Sequence, residues 1–498
     1  MNLIDGFINI FQNPSLVLII LLGVGAGMII GSLPGLTATM GVALFLPITF
    51  GMDAITGLLL LIGIYFGSIF GGSISAILLN TPGTPASAAT AFDGNKLVKQ
   101  GRAGHALTTA AVASGVGGLI SVLMLAFISP QLAKIALDFS SPERFGLAIF
   151  GISIIASISG DKPLKGIIAG VFGLLISTIG MDSITSYPRF TFGFVSLLNG
   201  LSFIPVMIGL FAVSEAIVIF EEEIRNIHGK RAKDEKVKIP KAKEMFALLP
   251  TMLRSGIIGT FIGIIPGAGA DIASFVSYNV GQRLTKKDEV KFGEGNPKGV
   301  ACSEAANNGV TGGAMVPLLT LGIPGDAVAA IMLGALIVQG IQPGPEIFIT
   351  NADIVFTLFS GMFIANIAMA VLGVVGIPLF SMILNVPKVV LAPVILMLSS
   401  VGAFAINNNF FDVYTMLLFG ILGYIMKKYK FPASPIVLAM ILGPMAESEM
   451  RRSLVLSGGS YSIFFTRPIA LFFILIAIVS LTLPYINIYR KRRKVNLG

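Results

Sequence analysis

The chain has 498 residues, of which 54% are hydrophobic and only 12% charged, with 34 Lys and Arg against 25 Asp and Glu. A soluble globular protein carries about twice that charged fraction, so a water-soluble enzyme is excluded. A disordered chain, which needs low hydrophobicity and high charge, is excluded with it. The composition is that of a polytopic membrane protein.

From the N-terminus, the first 95 residues contain no Lys or Arg. The first apolar stretch, 16–33, lacks the positive flank of a secretory signal and is read as part of the mature chain. Further apolar runs follow at 54–79, 106–129, 145–160, 166–181, 200–220, 354–384, 389–406, 413–426 and 468–484. Together with four segments interrupted by Pro-Gly, they predict about ten to twelve helical crossings, with no strands in the membrane part. The single cysteine, Cys302, excludes an intrachain disulfide and a cysteine-based zinc site. Basic residues cluster at 96–102, 225–254, 283–298 and 490–494, which hold three, nine, five and five of them. Lying between apolar spans, these clusters read as cytoplasmic loops rather than as a nucleic-acid surface.

The polar stretch 221–243 divides the chain, and the two sides resemble each other. Gly31-Ser32-Leu33-Pro34-Gly35 recurs as Gly263-Ile264-Ile265-Pro266-Gly267, and Asn80-Thr81-Pro82-Gly83 as Gly322-Ile323-Pro324-Gly325. Ser141-Pro142 parallels Val386-Pro387, and the three offsets are 232, 242 and 245 residues. Equivalent loops differ in charge. Loop 47–56 has no Lys or Arg where 283–298 has five, and 96–102 is basic where 341–353 is not. Such a reversal marks an inverted-topology repeat, with the N-terminus outside and the C-terminus cytoplasmic. The expected divisions are a first repeat over 1–220, a basic linker over 221–253, a second repeat over 254–466, and a final helix with a basic tail over 467–498. Segment 255–281 lies between two basic loops and is too short for two full spans. It is therefore expected to be a re-entrant hairpin with its tip at Pro266-Gly267, and 17–46 its outward-entering twin.

Proline removes a backbone donor and glycine frees the dihedrals, so each pair breaks a helix. Broken backbone in a membrane must face protein or a wet cavity. The half-helix that follows points unpaired N–H groups and a positive dipole end into that cavity, which suits a carboxylate. The candidate substrate-binding residues are Pro34, Gly35, Leu36, Thr37 and Thr39; Asn80, Thr81, Pro82, Gly83 and Thr84; Pro266, Gly267, Ala268 and Gly269; and Pro324, Gly325 and Asp326. The bland alternative is that these pairs only kink packed helices. Asp326 reads equally as an N-cap. Asp271, Glu304, Asn307 and Asn308 are candidates for coupling a cation. Glu304 and Asn307, three residues apart on one helix face, read equally as a structural hydrogen-bonding cluster. No HExxH, Walker A, GxSxG or CxxC is present, so neither enzymatic chemistry nor a cofactor is expected.

The run Tyr65-Phe66-Gly67-Ser68 through Gly71-Gly72-Ser73 to Ile77-Leu78-Leu79-Asn80-Thr81-Pro82-Gly83 resembles the large membrane subunit of tripartite tricarboxylate transporters. So do Gly299-Val300-Ala301 through Glu304-Ala305-Ala306-Asn307-Asn308 to Thr320-Leu321-Gly322-Ile323-Pro324-Gly325, and Gly340-Ile341-Gln342-Pro343-Gly344-Pro345. The resemblance covers most of 16–445, and Cys302-Ser303 departs from its expected pattern. It implies a bacterial inner-membrane secondary importer of citrate-like di- or tricarboxylates, driven by sodium or protons. Its implied partners are a small membrane subunit and a periplasmic solute-binding protein. An elevator-like motion is expected from the paired hairpins and by analogy with other carboxylate carriers. The rival readings are an anion channel and a carboxylate-binding membrane scaffold without transport. Accumulation against a gradient separates them from a transporter.

Overall fold

With no water in the bilayer core to bond backbone groups, this composition leaves helices as the economical structure. The computed structural model is helical almost throughout. It describes residues 3–33, 36–153, 163–182, 185–225, 240–267, 269–285, 289–383 and 391–495. The helices used below are α1 (Leu3–Gln12), α2 (Pro14–Ser32), α3 (Ala38–Phe45), α4 (Ala54–Leu79), α5 (Ala88–Lys99), α6 (Ala103–Ala136), α7 (Ser141–Ser153) and α8 (Pro163–Ser177). They continue with α9 (Phe203–Ile208), which runs through a π turn (Gly209–Val213) into α10 (Ser214–Arg225). The second half holds α11 (Ala242–Ile264), α12 (Ala270–Leu284), α13 (Pro297–Leu321), α14 (Ala327–Val338), α15 (Ala352–Val375), α16 (Leu391–Asn407), α17 (Phe410–Lys428), α18 (Ser434–Leu456) and α19 (Pro468–Val495). Gly180–Met181 pairs antiparallel with Pro188–Arg189, the one strand pair among the described residues.

Seven helices among the described residues are long and apolar enough to cross a membrane, and this is a multi-pass membrane protein. Several expected spans are shorter, such as Pro163–Ser177 and Ala327–Val338. Helix α13 has 25 residues but carries Ser303, Glu304, Asn307 and Asn308, which reduce its hydropathy. From Gly299 to Thr320 it is buried. Helix α11 begins at Ala242, inside the segment read as a basic linker. Val386-Pro387 of the third repeat match lies outside the described residues.

The chain divides into two compact units. One comprises Met1–Leu132 and Ile219–Leu398; the other comprises Ala133–Val218 and Ser399–Gly498. In the first unit, α2 packs along α4 and α11 along α13. Lipid is as apolar as leucine, so close backbone approach and dispersion hold such pairs rather than hydrophobic exclusion. A Cβ on Gly31 would lie 2.1 Å from the Ser68 carbonyl oxygen, and one on Gly259 would lie 2.2 Å from that of Ala306. Both α4 and α13 end in a left-handed cap, Asn80 at φ 56° and Gly322 at φ 70°.

In the second unit, α18 packs on α7 and α8, and α19 on α7. Four charges there form a closed ring. Arg189 reaches Asp182 at 3.3 Å and Glu447 at 2.7 Å, and Arg451 reaches Asp182 at 3.0 Å and Glu447 at 2.6 Å. Asp182 is 5% exposed, and without Arg189 it shares Arg451 with Glu447, losing a charged hydrogen bond that contributes about 1.5–3 kcal/mol. Arg189→Ala should lower the thermal midpoint of the purified protein by several degrees. An unchanged midpoint would mean that the ring contributes nothing to stability.

Candidate functional site

All the sequence-derived site residues belong to the first unit. The break after α2 leaves Leu33 and Leu36 buried, while Pro34 and Gly35 lie outside the described residues. Thr37 caps α3, its hydroxyl accepting the Met40 N–H at 3.3 Å. Thr39 sits half-buried in the first turn. Ser68 brings a buried hydroxyl to this point, since a Cβ on Gly41 would lie 3.0 Å from its Oγ. That oxygen has no hydrogen-bond partner.

The matching break after α11 begins at Ile265, whose N–H closes back on the Ile262 carbonyl at 3.1 Å. Pro266 is half-buried and Gly267 buried, whereas Ala268 lies outside the described residues. Gly269 precedes α12, and Asp271 is exposed in its first turn, where the helix dipole favours an acid.

Beyond α4, Asn80, Thr81 and Pro82 are exposed, and Gly83 and Thr84 are buried. The Gly83 N–H donates to the Gly72 carbonyl at 3.2 Å. A Cβ on Gly83 would lie 2.4 Å from the Gly31 carbonyl oxygen, so the second break of the first half packs on the last turn of α2, which leads into the first. In the second half the two breaks bond directly, the Gly267 N–H donating to the Gly325 carbonyl at 2.8 Å. Asp326 caps α14, with Oδ1 accepting the Ala329 N–H at 2.7 Å. Its Oδ2 accepts the Tyr65 hydroxyl at 3.0 Å. The capping reading of Asp326 is therefore realised, with an added tie from α4 to the α14 break.

Glu304 is wholly buried in the middle of α13. Its Oε1 accepts Ser73 Oγ at 2.6 Å and also the Thr90 hydroxyl. Its Oε2 accepts Ser114 Oγ at 3.0 Å, and the Thr90 and Ser303 hydroxyl oxygens lie 2.8 Å apart. Helices α4, α5, α6 and α13 thus converge on one carboxylate. Among the described residues no cationic side chain pairs with it. Asn308 donates to the Met369 sulfur at 3.1 Å. Asn307, equally buried, has no partner for either amide atom. Asp271 and Asp326 stand apart from this cluster in the chain, in the first turn of α12 and at the N-cap of α14.

Sequence reasoning missed Ser73, Thr90 and Ser114. Hydroxyls are common in membrane helices, and only a buried carboxylate elsewhere gives these three a role. It also missed Asp93, whose Oδ1 accepts the N–H groups of Gly293, Gly295 and Asn296 at 2.9, 2.9 and 2.7 Å. Asp93 Oδ2 accepts the Tyr278 hydroxyl at 2.7 Å.

No Lys or Arg falls within the four breaks, so any anion there meets helix ends, amides and hydroxyls. Broken apolar helices packed together, beside a buried carboxylate ringed by hydroxyls, are the features of a multi-pass membrane transport protein. The chain belongs to the tripartite tricarboxylate transporter TctA family, whose model matches residues 17–438. Membership makes it the large membrane component of a tripartite tricarboxylate transport system, not an enzyme. It is 37% identical over 473 residues to an Agrobacterium vitis protein described as an uncharacterized 52.8 kDa protein in the TAR-I ttuC' 3' region, covering 95% of this chain and 93% of that one. A second Agrobacterium vitis protein, described as an uncharacterized protein in the TAR-II ttuC' 3' region, is 37% identical over 235 residues, or 47% of this chain and 97% of that one. No solved structure matches the chain.

Proposed function

We propose that this permease imports citrate-like di- or tricarboxylates by symport with sodium or protons. It works with a small membrane subunit and a periplasmic solute-binding protein in the bacterial inner membrane. The substrate carboxylates lie between the four Pro-Gly breaks, at Leu36, Thr37 and Thr39, Asn80–Thr84, Pro266–Gly269 and Pro324–Asp326, with Pro34 and Gly35 completing the first. The observation that carries this reading is the pairing of breaks within each half, by the hydrogen bond from Gly267 to Gly325 in the second and by the packing of Gly83 on Gly31 in the first. The helices that start after paired breaks can then present their N-termini to one ligand, an arrangement suited to a carboxylate without a basic side chain.

The two halves act as inverted repeats over 1–220 and 254–466, joined by 221–253 and followed by 467–498. The breaks form re-entrant hairpins, with the N-terminus outside and the C-terminus cytoplasmic. Supporting the repeat, each compact unit takes one segment from each half of the chain. The α2–α4 pair with its left-handed cap also has its counterpart in α11–α13. The coupling ion binds at Glu304, beside Asn307 and Asn308.

Reconstituted uptake across a panel of carboxylates, under imposed sodium or pH gradients, tests the reading. Thr37→Leu, Asn80→Leu and Thr81→Leu should each abolish uptake while leaving the protein in the membrane. The structural cost at Thr37 is one helix cap, about 1 kcal/mol. At Asn80 it is a left-handed residue, also about 1–2 kcal/mol. Unchanged uptake in all three would refute the site, and equilibration without accumulation would favour an anion channel.

A further inference from the structure

Beside the second break of the first half lies a cavity of about 340 Å³, bounded by α5, Asn80, Tyr278 and Gly293. Lys96 and Lys99 both line it. They stand three residues apart on α5, so their side chains leave the same helix face as neighbours. Both are exposed, and among the described residues neither enters an ion pair. Asn80 and Asn95 add amides to the lining. The Asn95 amide nitrogen is committed to the Ile77 carbonyl at 3.0 Å, which leaves its oxygen toward water or a hydroxyl.

The opposite wall is fixed. Asp93 gathers three backbone N–H groups of the connector before α13, together with the Tyr278 hydroxyl. Its charge is thus spent inside the wall rather than on the lysines. The cavity therefore presents two cations at neighbouring positions, unpaired among the described residues and bordered by an amide from the break itself.

We propose that this cavity is a second carboxylate subsite, which holds a di- or tricarboxylate by two of its carboxyl groups before or after its passage through the breaks. A monocarboxylate engages one lysine only and is held weakly. The inference rests on the reading of the protein as a carboxylate permease and extends it to the basic side of the breaks. Lysines in the last turn of α5 also complement the helix dipole. That role explains their charge but not an open cavity lined by both and reaching Asn80.

The test uses the full chain in phosphatidylcholine vesicles, with Phe92→Cys, an exposed position of the cavity lining, as the reporter. The native Cys302 is buried and adds little background. Citrate and malate should slow maleimide labelling of the Phe92→Cys protein, and acetate should not. In the Lys96→Gln, Lys99→Gln background the unprotected labelling rate should persist, showing an intact cavity. Half-saturating citrate for protection should rise about tenfold there, as two exposed charge contacts together are worth. Equal protection with and without the lysines overturns the subsite. Protection by phosphatidylglycerol vesicles without citrate overturns it in favour of a lipid headgroup. Citrate exchange measured in parallel separates the two claims. Exchange without protection removes only the subsite, whereas protection without exchange removes only the transport reading.

Discussion

Glu304→Gln should abolish gradient-driven accumulation of carboxylate while leaving a folded protein in the membrane. The side chain is wholly buried and receives hydroxyl protons from Ser73, Thr90 and Ser114. Hydrogen bonds to a charged group contribute about 1.5–3 kcal/mol each, yet three neutral donors do not replace the water that a buried carboxylate has lost. A proton or a monovalent cation on the carboxylate would complete the compensation. Oxygens of Ser73, Thr90, Ser114 and Ser303 already stand around it, the donor set that a hard cation takes. Glutamine keeps the volume and one acceptor oxygen but carries no charge to neutralise, so binding of either ion loses its purpose. Glu304→Ala removes both acceptors and leaves the donors stranded, at about 1–3 kcal/mol for each unsatisfied group, and should fail to fold. Uptake into vesicles under a sodium gradient, and separately under a pH gradient, is the measurement. Glu304→Gln should bring internal and external carboxylate to equality under whichever gradient drives the wild type. Accumulation at the wild-type level would remove Glu304 from the coupling mechanism.

Much of this arrangement was legible in the sequence, because its markers are chemical rather than topological. Sparse charge identified the membrane class, and the Pro-Gly pairs located breaks that the helices of the structure respect. The left-handed caps at Asn80 and Gly322 lie at the repeat offset of 242 residues read from sequence. Asp326 was readable as a cap because an acid directly before an apolar helix is the ordinary N-cap pattern. The start of α11 was not readable. Lys241, Lys243 and Glu244 look like linker, but a helix end can carry charged heads that reach toward water on long stems. The partners of Glu304 were equally hidden. Ser73, Thr90 and Ser114 stand 231, 214 and 190 residues away in the chain, and no local periodicity connects them. The interleaving of the two units was not readable either, since each takes a segment from both sides of the polar stretch.

Gly83→Ala should lower uptake at subsaturating carboxylate about a hundredfold, whereas Gly25→Ala should leave it unchanged. The two substitutions add the same methyl group in different surroundings. At Gly25 nothing lies within 4 Å of the new carbon, and alanine is the better helix former by about 1 kcal/mol. At Gly83 the carbon would lie 2.4 Å from the Gly31 carbonyl oxygen, 2.8 Å from Ser75 Oγ and 2.9 Å from Gly72 Cα. Two of those three atoms are backbone and cannot rotate away. The serine hydroxyl could turn, but it is held on the Gly72 carbonyl at 3.2 Å. The break must therefore move bodily away from α2 and α4, taking Asn80, Thr81 and Thr84 with it. Overpacking of this kind costs about 1–3 kcal/mol, and a hundredfold loss corresponds to about 2.7 kcal/mol. The second half supplies a comparison, since a Cβ on Gly325 would lie 2.7 Å from Ala314 Cα. Gly325→Ala should also strain the hydrogen bond from the Gly267 N–H to the Gly325 carbonyl. If paired breaks form the carboxylate site, both alanine variants lose uptake with the thermal midpoint lowered by only a few degrees. If the contacts only pack helices, the midpoint falls just as far and uptake follows the amount of folded protein.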